Sequence, residues 1–414
     1  MVADAQRART RMVDALREAR RVRTPAVENA LRSVPRHLFL PGVSIAGAYA
    51  DEAVAVQFDG PMATSSASQP SMVAIMLEQL DLQPGQRVLE VGAGTGYNAA
   101  LMTRIVGPAG RVTAVDIDEE LVDRAAVHLA SAGVDEVELV AGDGALGHPP
   151  GAPYDRIVLT VGSDDVRPEW VAQLAPRGRL LLPLAVRGSQ LSIALDLGPD
   201  GLLRSSSVRS CAFIRIRGEG ASADASVCLE GVGLALHVPE DGPDPDLAGV
   251  TAALAEPGDL VASAVSLGAV DVWDGFGLWL ALTEPGVCRL LATRAETGLP
   301  DDLLPLGATG GTVALASEPG NPLPGIAAVV PVPGQERGRG PGPVGVRSFG
   351  LGGPALAARL LAALERWVAA GRPEAMNWRF TVGPRPQGQH ERLQPGACAV
   401  AKRHCQVLAT LPPP

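Results

Sequence analysis

The chain has 414 residues, a formal net charge of −10 and 46% hydrophobic residues, which is length and apolar content enough for two packed domains. An acidic balance argues against a general nucleic-acid surface, and no run of eighteen or more apolar residues free of breakers suggests a membrane span. The five cysteines form no C-x-x-C pair and the six histidines do not join them at ligand spacing, so reduced cytoplasmic thiols and no metal site are expected.

The opening "MVADAQRARTRMVDALREARR" is arginine-rich, but it mixes in acids and has no apolar block of the kind a secretory signal carries. It reads as an ordinary surface helix, and the first forty residues read as helical down to "VPRHLFLP". Next comes "ATSSASQPSMVAIML", with four hydroxyls ahead of a Gln-Pro step and a helix predicted from Gln69 to about Leu80. One reading makes Ser68 the helix N-cap, with Pro70 in the first turn.

A buried strand, "RVLEV", then runs into the glycine loop "GAGTG" and the helical "YNAALMTRIVG". "GRVTAVDID" is the next strand, "EELVDRAAVHLASAG" a helix, "VELVAGDG" a third strand and "YDRIVLTVG" a fourth. "EWVAQLAPRGRLLLPLA" gives a helix and a fifth strand; "SQLSIALDLG" and "LRSSSVRSCAFIRIRG" close the sheet. Strands alternating with helices predict a parallel sheet covered on both faces.

The non-periodic "GEGASAD" suggests a boundary, which separates residues 1–217 from 218–414. Beyond it, short apolar runs broken by Gly and Pro predict an α+β domain without repeats. "PGNPLPGIAAVVPVPGQERGRGPGPVG" is expected as a loop, "GPALAARLLAALERWVAAGRP" as an amphipathic helix and "ACAVAKRHCQVLATL" as a last strand. Trp273, Trp279, Trp367 and Trp378 are expected in the core or at an interface.

The first domain carries the chemistry. Glu90 precedes Gly92, Gly94 and Gly96, a spacing that departs from G-x-G-x-x-G and places an acid at the strand end. No phosphate needs cradling by this loop, whereas a carboxylate there suits the sulfonium and ammonium of S-adenosylmethionine. Asp116 ends the next strand, where an acid accepts bonds from ribose hydroxyls; Ile117 adjoins it, and Asp118 is either an alternative ligand or the start of the next helix. Asp143 and Gly144, in "GDG", end the third strand, with Asp143 placed to bond an adenine amino group.

"VPRHLF", "AYADEAVAV", "SSASQPSMVAIMLEQLDLQPGQRVLEVGAGTGYNAAL", "GDGALGHPPGAPYDRIVLTVG" and "QLAPRGRLLLPL" together resemble protein-L-isoaspartate O-methyltransferases over roughly half of the chain. The resemblance implies an α/β, Rossmann-like S-adenosylmethionine-dependent methyltransferase domain, followed here by the accessory α+β domain. It implies that the hydroxyls of Ser66 and Ser68 line the substrate carboxylate site, with Ser68 at the family's active-site position and Ser65 beside it. Thr160 and Gly162, with Ser163 and Gln190, are candidate substrate contacts; Tyr97, His37 and Phe39 read as packing.

The extra C-terminal length and these segments most resemble homologues that tailor ribosomally made peptides. That resemblance implies a monomeric peptide carboxyl methyltransferase esterifying one aspartate of a cyclised precursor peptide, the ester closing to an aspartimide that persists or opens towards isoaspartate. Repair of isoaspartyl residues in damaged proteins is the alternative. A cofactor-binding module without transfer is a third reading, opposed by the complete set of Glu90, the three glycines, Asp116 and Asp143.

Overall fold

Contiguous apolar strands separated by amphipathic helices assemble into two compact units in a computed structural model that describes residues 2–222, 226–242, 246–293, 304, 310–332, 340–385 and 396–412. The first unit comprises 1–184, 190–222 and 381–384; the second comprises 185–189, 223–380 and 385–414. The chain therefore passes between units more than once.

In the first unit, helices α1 (Val2–Glu18), α2 (Pro25–Ser33) and the short α3 (Ile45–Ala48) lead into a hairpin, β1 (Val54–Asp59) and β2 (Met62–Ala67). Helix α1 buries Ala5, Ala8, Met12, Val13 and Leu16, a stripe at helical spacing, so it is a packing helix. Then follow α4 (Pro70–Leu80), β3 (Arg87–Val91), α5 (Tyr97–Val106), β4 (Arg111–Asp116), α6 (Glu119–Ser131), β5 (Val137–Ala141), β6 (Tyr154–Leu159), α7 (Pro168–Ala172), β7 (Leu174–Val186), β8 (Ser189–Leu197) and β9 (Leu203–Ser210).

Their order across the sheet is β5-β4-β3-β6-β7-β8-β9. The pairs β4/β5, β3/β4, β3/β6 and β6/β7 are parallel, and β8/β9 is antiparallel. The chain's direction of travel across the sheet reverses at β3, which neighbours both β4 and β6. A crevice opens at such a point, beyond the carboxyl ends of the strands. Thr381 and Val382 of β17 (Arg379–Pro384) pair with Arg204 and Leu203 at the β9 edge.

The second unit holds β10 (Ser226–Leu229), β11 (Leu234–His237), α8 (Leu247–Leu254), β12 (Pro257–Leu267), α9 (Ala269–Trp273), α10 (Phe276–Thr283), β13 (Val287–Ala292), β14 (Gly311–Ala316), β15 (Ile326–Pro331), β16 (Gly342–Phe349), α11 (Gly353–Ala369), β18 (Ala397–Ala401) and β19 (Cys405–Thr410). Seven of these strands form an antiparallel sheet in the order β10-β11-β13-β14-β15-β16-β12. Leu236, Leu290, Ala314, Ala328 and Phe349 belong to its core, and Leu356, Leu360, Leu364 and Trp367 form the buried face of α11. Trp279 and Trp378 are buried as well.

Four local expectations change. The hydroxyl-rich stretch is a strand of a hairpin. The closing strand stops at Ser210, and 211–217 continues as an irregular segment. The last strand is a hairpin of two, β18 and β19, paired in antiparallel register. The Pro/Gly-rich stretch contains β15 and the start of β16, because its "IAAVVP" run is apolar and β-branched enough to pair on both sides; residues 333–339 of it lie outside the described residues. No helix among the described residues is long and apolar enough to cross a membrane.

Candidate active site

Strand β3 is covered on both faces, so its Glu90 is carried into the interior, 1% exposed, just before the chain leaves the sheet. Three left-handed glycines make the exit: Gly92 at φ +100°, Gly94 at +50° and Gly96 at +83°. A side chain at any of them would be strained, and at Gly92 a Cβ would also lie 2.9 Å from Thr160 Oγ1 and Val161 Cγ1. The turn is pinned to β4. Gly92 N and Ala93 N both donate to Val115 O, at 2.8 and 3.1 Å, and Gly94 N donates to Asp116 Oδ2 at 2.9 Å.

These residues border one cleft of about 1050 Å³, its open mouth included. Among the predicted residues, Ser65, Ser66, Ser68, Glu90, Gly92, Gly94, Asp116, Ile117, Gly144 and Thr160 line it. Thr160 Oγ1 donates to Gly92 O at 2.7 Å, so this hydroxyl holds the glycine loop. Gly144 lies over Val91, whose Cγ1 a Cβ would meet at 2.4 Å. Ile117 is 40% exposed at the rim.

Three predicted residues take other positions. Gly96 caps α5 and packs against Ala125 and Leu129 of α6. Asp143 spends one oxygen on Ala145 N at 2.9 Å and the other on Glu219 N at 2.7 Å, fastening a turn and a distant backbone. Gly162 exchanges backbone bonds with Ile214 and Ile216, and a Cβ on it would strike Gln190 Nε2 at 2.2 Å. Gln190 itself is engaged with the backbone of Phe213. The choice left open at Asp118 closes in favour of the helix. It caps α6 through Leu121 N at 3.2 Å and is held by Gln57 Nε2 at 2.8 Å, whose hydrogen bond is the main reason its carboxyl sits below the usual range.

Strand β2 brings Ser65 and Ser66 to the cleft, and Ser68 follows its last residue. The hydroxyls of Ser65, Ser66 and Ser68 have no hydrogen-bond partner among the described residues. Gly94 is close by: a Cβ there would lie 3.8 Å from Ser65 Oγ. Ser68 is not the helix cap. The N-cap of α4 is Gln69, whose side chain makes no capping bond; Pro70, next in line, has no N–H to offer. The first free N–H, that of Ser71, is taken by Asp51 Oδ1 at 2.8 Å.

Several lining residues were not singled out in the sequence as ligands. Asn98 Nδ2 donates to Glu90 Oε1 at 2.8 Å, while Glu90 Oε2 is buried without a partner. Burial is the main cause that pushes the Glu90 carboxyl up to about 8, opposed by the Asn98 bond. Residues Phe213 to Arg217 form a wall, although their alternation suggested only more strand. Arg36 and Tyr97 are buried at the cleft, the guanidinium carbon 4.9 Å from the ring centre. The packing expected of Tyr97 is present, edge-on to Phe39 at 5.4 Å.

A bare, buried carboxylate oxygen beside a loop that only glycine can build fits a ligand that brings positive charge and little bulk. It fits the methionine end of S-adenosylmethionine better than a phosphate. The family model for protein-L-isoaspartate(D-aspartate) O-methyltransferase matches residues 7–220. The chain is 41% identical over 215 residues to a protein-L-isoaspartate O-methyltransferase of Methanopyrus kandleri, covering 52% of this chain and 93% of the relative. It is 38% identical over 216 residues to one of Archaeoglobus fulgidus, covering 52% and 95%. A solved structure named protein-L-isoaspartate O-methyltransferase shares the fold with a TM-score of 0.50 at 23% identity, over 90% of this chain and 96% of its own. The chain thus belongs to the protein-L-isoaspartate(D-aspartate) O-methyltransferase family, whose methyl donor is S-adenosyl-L-methionine.

Proposed function

We propose that this chain esterifies the free carboxylate of isoaspartyl residues in proteins and peptides. The observation that carries the reading is a strip of unpartnered hydroxyls, Ser65, Ser66 and Ser68, in the same cleft as the bare oxygen of Glu90 and the glycine loop. Names of relatives matched over more than nine-tenths of their own length support it.

When bound, S-adenosylmethionine supplies a methyl group on a sulfonium, electrophilic enough for a carboxylate to attack. In this reading Glu90, Gly92 and Gly94 would hold its amino-acid end, Asp116 its ribose, and Ile117 and Gly144 its base. Asp143 supports that end indirectly, by fastening the turn that begins at Gly144.

A substrate carboxylate is ionised at neutral pH and requires no general base. Its requirements are alignment and partial removal of water. Ser66 and Ser68 can each donate a hydrogen bond to it without adding negative charge, whereas an acid in that strip would repel it. Held by Ser66 and Ser68, the carboxylate oxygen would take up the methyl group that the bound donor supplies, giving the methyl ester. The ester is then open to attack by the next backbone nitrogen. That step closes a succinimide, releases methanol and asks nothing of the protein.

Methylation of an ordinary aspartate in a cyclised precursor peptide is the finer reading that the sequence resemblance suggested. It gives residues 218–414 the task of gripping that peptide. The second unit does not by itself favour it, since the isoaspartyl-named structure of the same fold covers 90% of this chain.

The test is mass spectrometry with three substrates: unrelated isoaspartyl peptides, their aspartyl twins, and a cyclised peptide encoded beside the gene. The expected result is a one-methyl gain on the isoaspartyl peptides alone. Reaction confined to the cyclised peptide, ending in a net loss of water, would replace this reading with the tailoring one.

A further inference from the structure

Arg36 is 1% exposed and sits where three segments of the first unit meet. Its Nε donates to Ala48 O at 2.9 Å, and its Nη2 donates to Ser68 O at 2.8 Å and reaches Ala67 O at 3.5 Å. Its guanidinium lies over the ring of Tyr97, the first residue of the helix that follows the glycine loop. Nη1 is buried without a hydrogen-bond partner. No carboxylate pairs with this cation among the described residues; Asp51 acts on it only through space, after Tyr97 and Tyr49. Burial accordingly pushes its pKa down.

An unpaired buried cation is an expensive way to tie backbone together, and three neutral carbonyls do not repay it in full. What the guanidinium provides is rigidity in two directions at once. One nitrogen holds the consecutive carbonyls of Ala67 and Ser68. The charged carbon lies over the ring of the residue that starts helix α5. We infer that Arg36 is a positioning residue: it sets the Ser66–Ser68 segment relative to the glycine loop, and so the approach of the substrate carboxylate to the methyl donor. The inference rests on the role proposed above for Ser66 and Ser68.

A lysine cannot reproduce this. Its ammonium is a single point on a flexible stem, with no planar face and no fork to reach Ala48 O and Ser68 O together. If Arg36 only stabilised the fold, its loss would lower cofactor binding and turnover together, and equally with or without the serines.

The experiment is a double-mutant cycle on the full chain with an isoaspartyl peptide. S-adenosylhomocysteine affinity is measured by calorimetry beside kcat. For Arg36→Lys, the homocysteine product should bind within about twofold of wild type. Its kcat should fall about 100-fold, the scale of an ångström-sized misplacement. In the Ser66→Ala/Ser68→Ala background the same change should cost less than about threefold. Equal losses in both backgrounds would overturn the inference and leave the serine reading standing. Full turnover by the double serine variant would overturn both. If Arg36→Lys does not bind the homocysteine product, Arg36→Gln is measured the same way. Loss of binding in both variants would also overturn the inference, because a residue the whole pocket depends on does not act through the serines.

Discussion

Asn98 holds one oxygen of Glu90 at 2.8 Å and leaves the other buried and bare. With its carboxyl raised to about 8 by burial, Glu90 keeps a proton in the folded chain that the unfolded chain releases near the ordinary 4.5. The folded pKa is the higher one. Stability of the free enzyme therefore falls as pH rises across that window and levels off above it. A bound cation reverses the preference, so binding S-adenosylmethionine should expel the proton. Calorimetry near neutral pH, in buffers of differing ionisation enthalpy, should show release approaching a full proton, with affinity rising towards the alkaline end of the window. Glu90→Gln should abolish the release and raise the melting temperature of the free protein at mildly alkaline pH.

Gly92 and Gly107 make a matched pair for testing the loop. Both have positive φ, +100° and +67°, but a Cβ on Gly107 meets nothing within 4 Å, whereas on Gly92 it meets Thr160 and Val161 at 2.9 Å. Gly107, at φ +67° and ψ −175°, sits where only glycine is at ease, so Gly107→Ala should cost about 1 to 3 kcal/mol of stability but leave cofactor binding intact. Gly92→Ala should cost about 2 to 3 kcal/mol and weaken S-adenosylhomocysteine at least tenfold, by roughly the strain and clash it introduces. Urea unfolding and ligand titration on both variants check this.

The serine hydroxyls can be removed without breaking any hydrogen bond among the described residues. Ser66→Ala and Ser68→Ala should each change stability by less than about 0.5 kcal/mol. Turnover should drop by about 10- to 100-fold, the range for losing one donor to a reacting oxygen, while the KM for S-adenosylmethionine stays put. A parallel fall in melting temperature would place these hydroxyls in the fold rather than in the reaction.

In the second unit the chain's single lysine is buried. Lys402 is 1% exposed at its side chain, donates to Ala185 O at 2.6 Å and pairs with Glu240. Burial would lift the Glu240 carboxyl, but Lys402 outweighs it and holds the group below its ordinary 4.5. This pair's contribution is present above that value and fades as pH falls through the depressed one. Lys402→Met strands Glu240 and should cost about 3 kcal/mol. An acid titration followed by circular dichroism should show unfolding begin at higher pH in the variant.

Strand, glycine loop and strand-end acid were legible because each is written in a few adjacent residues. Glu90, Gly92, Gly94 and Asp116 all reach the cleft from such stretches. The amphipathic stripe of α11 was legible for the same reason. Arg36, Asn98 and the wall from Phe213 to Arg217 were not, since only tertiary packing brings them to the cleft. Asp143 and Gly162 show another limit. The residue types suit a ligand site, but which way a strand-end side chain points depends on which backbone approaches it. Here Glu219 and Ile214 approach first. Strand order in the second unit was equally out of reach, because β12 pairs with β16 across several intervening elements.

Asp51 closes the start of α4 from another part of the chain. That arrangement separates two obligations that a serine at the helix start would have had to meet together. The serine side chains that face the cleft take no part in the cap, and the helix start is held by an acid outside their strip. The serine strip can therefore be altered in sequence, by chance or by design, with the scaffold insulated from the change.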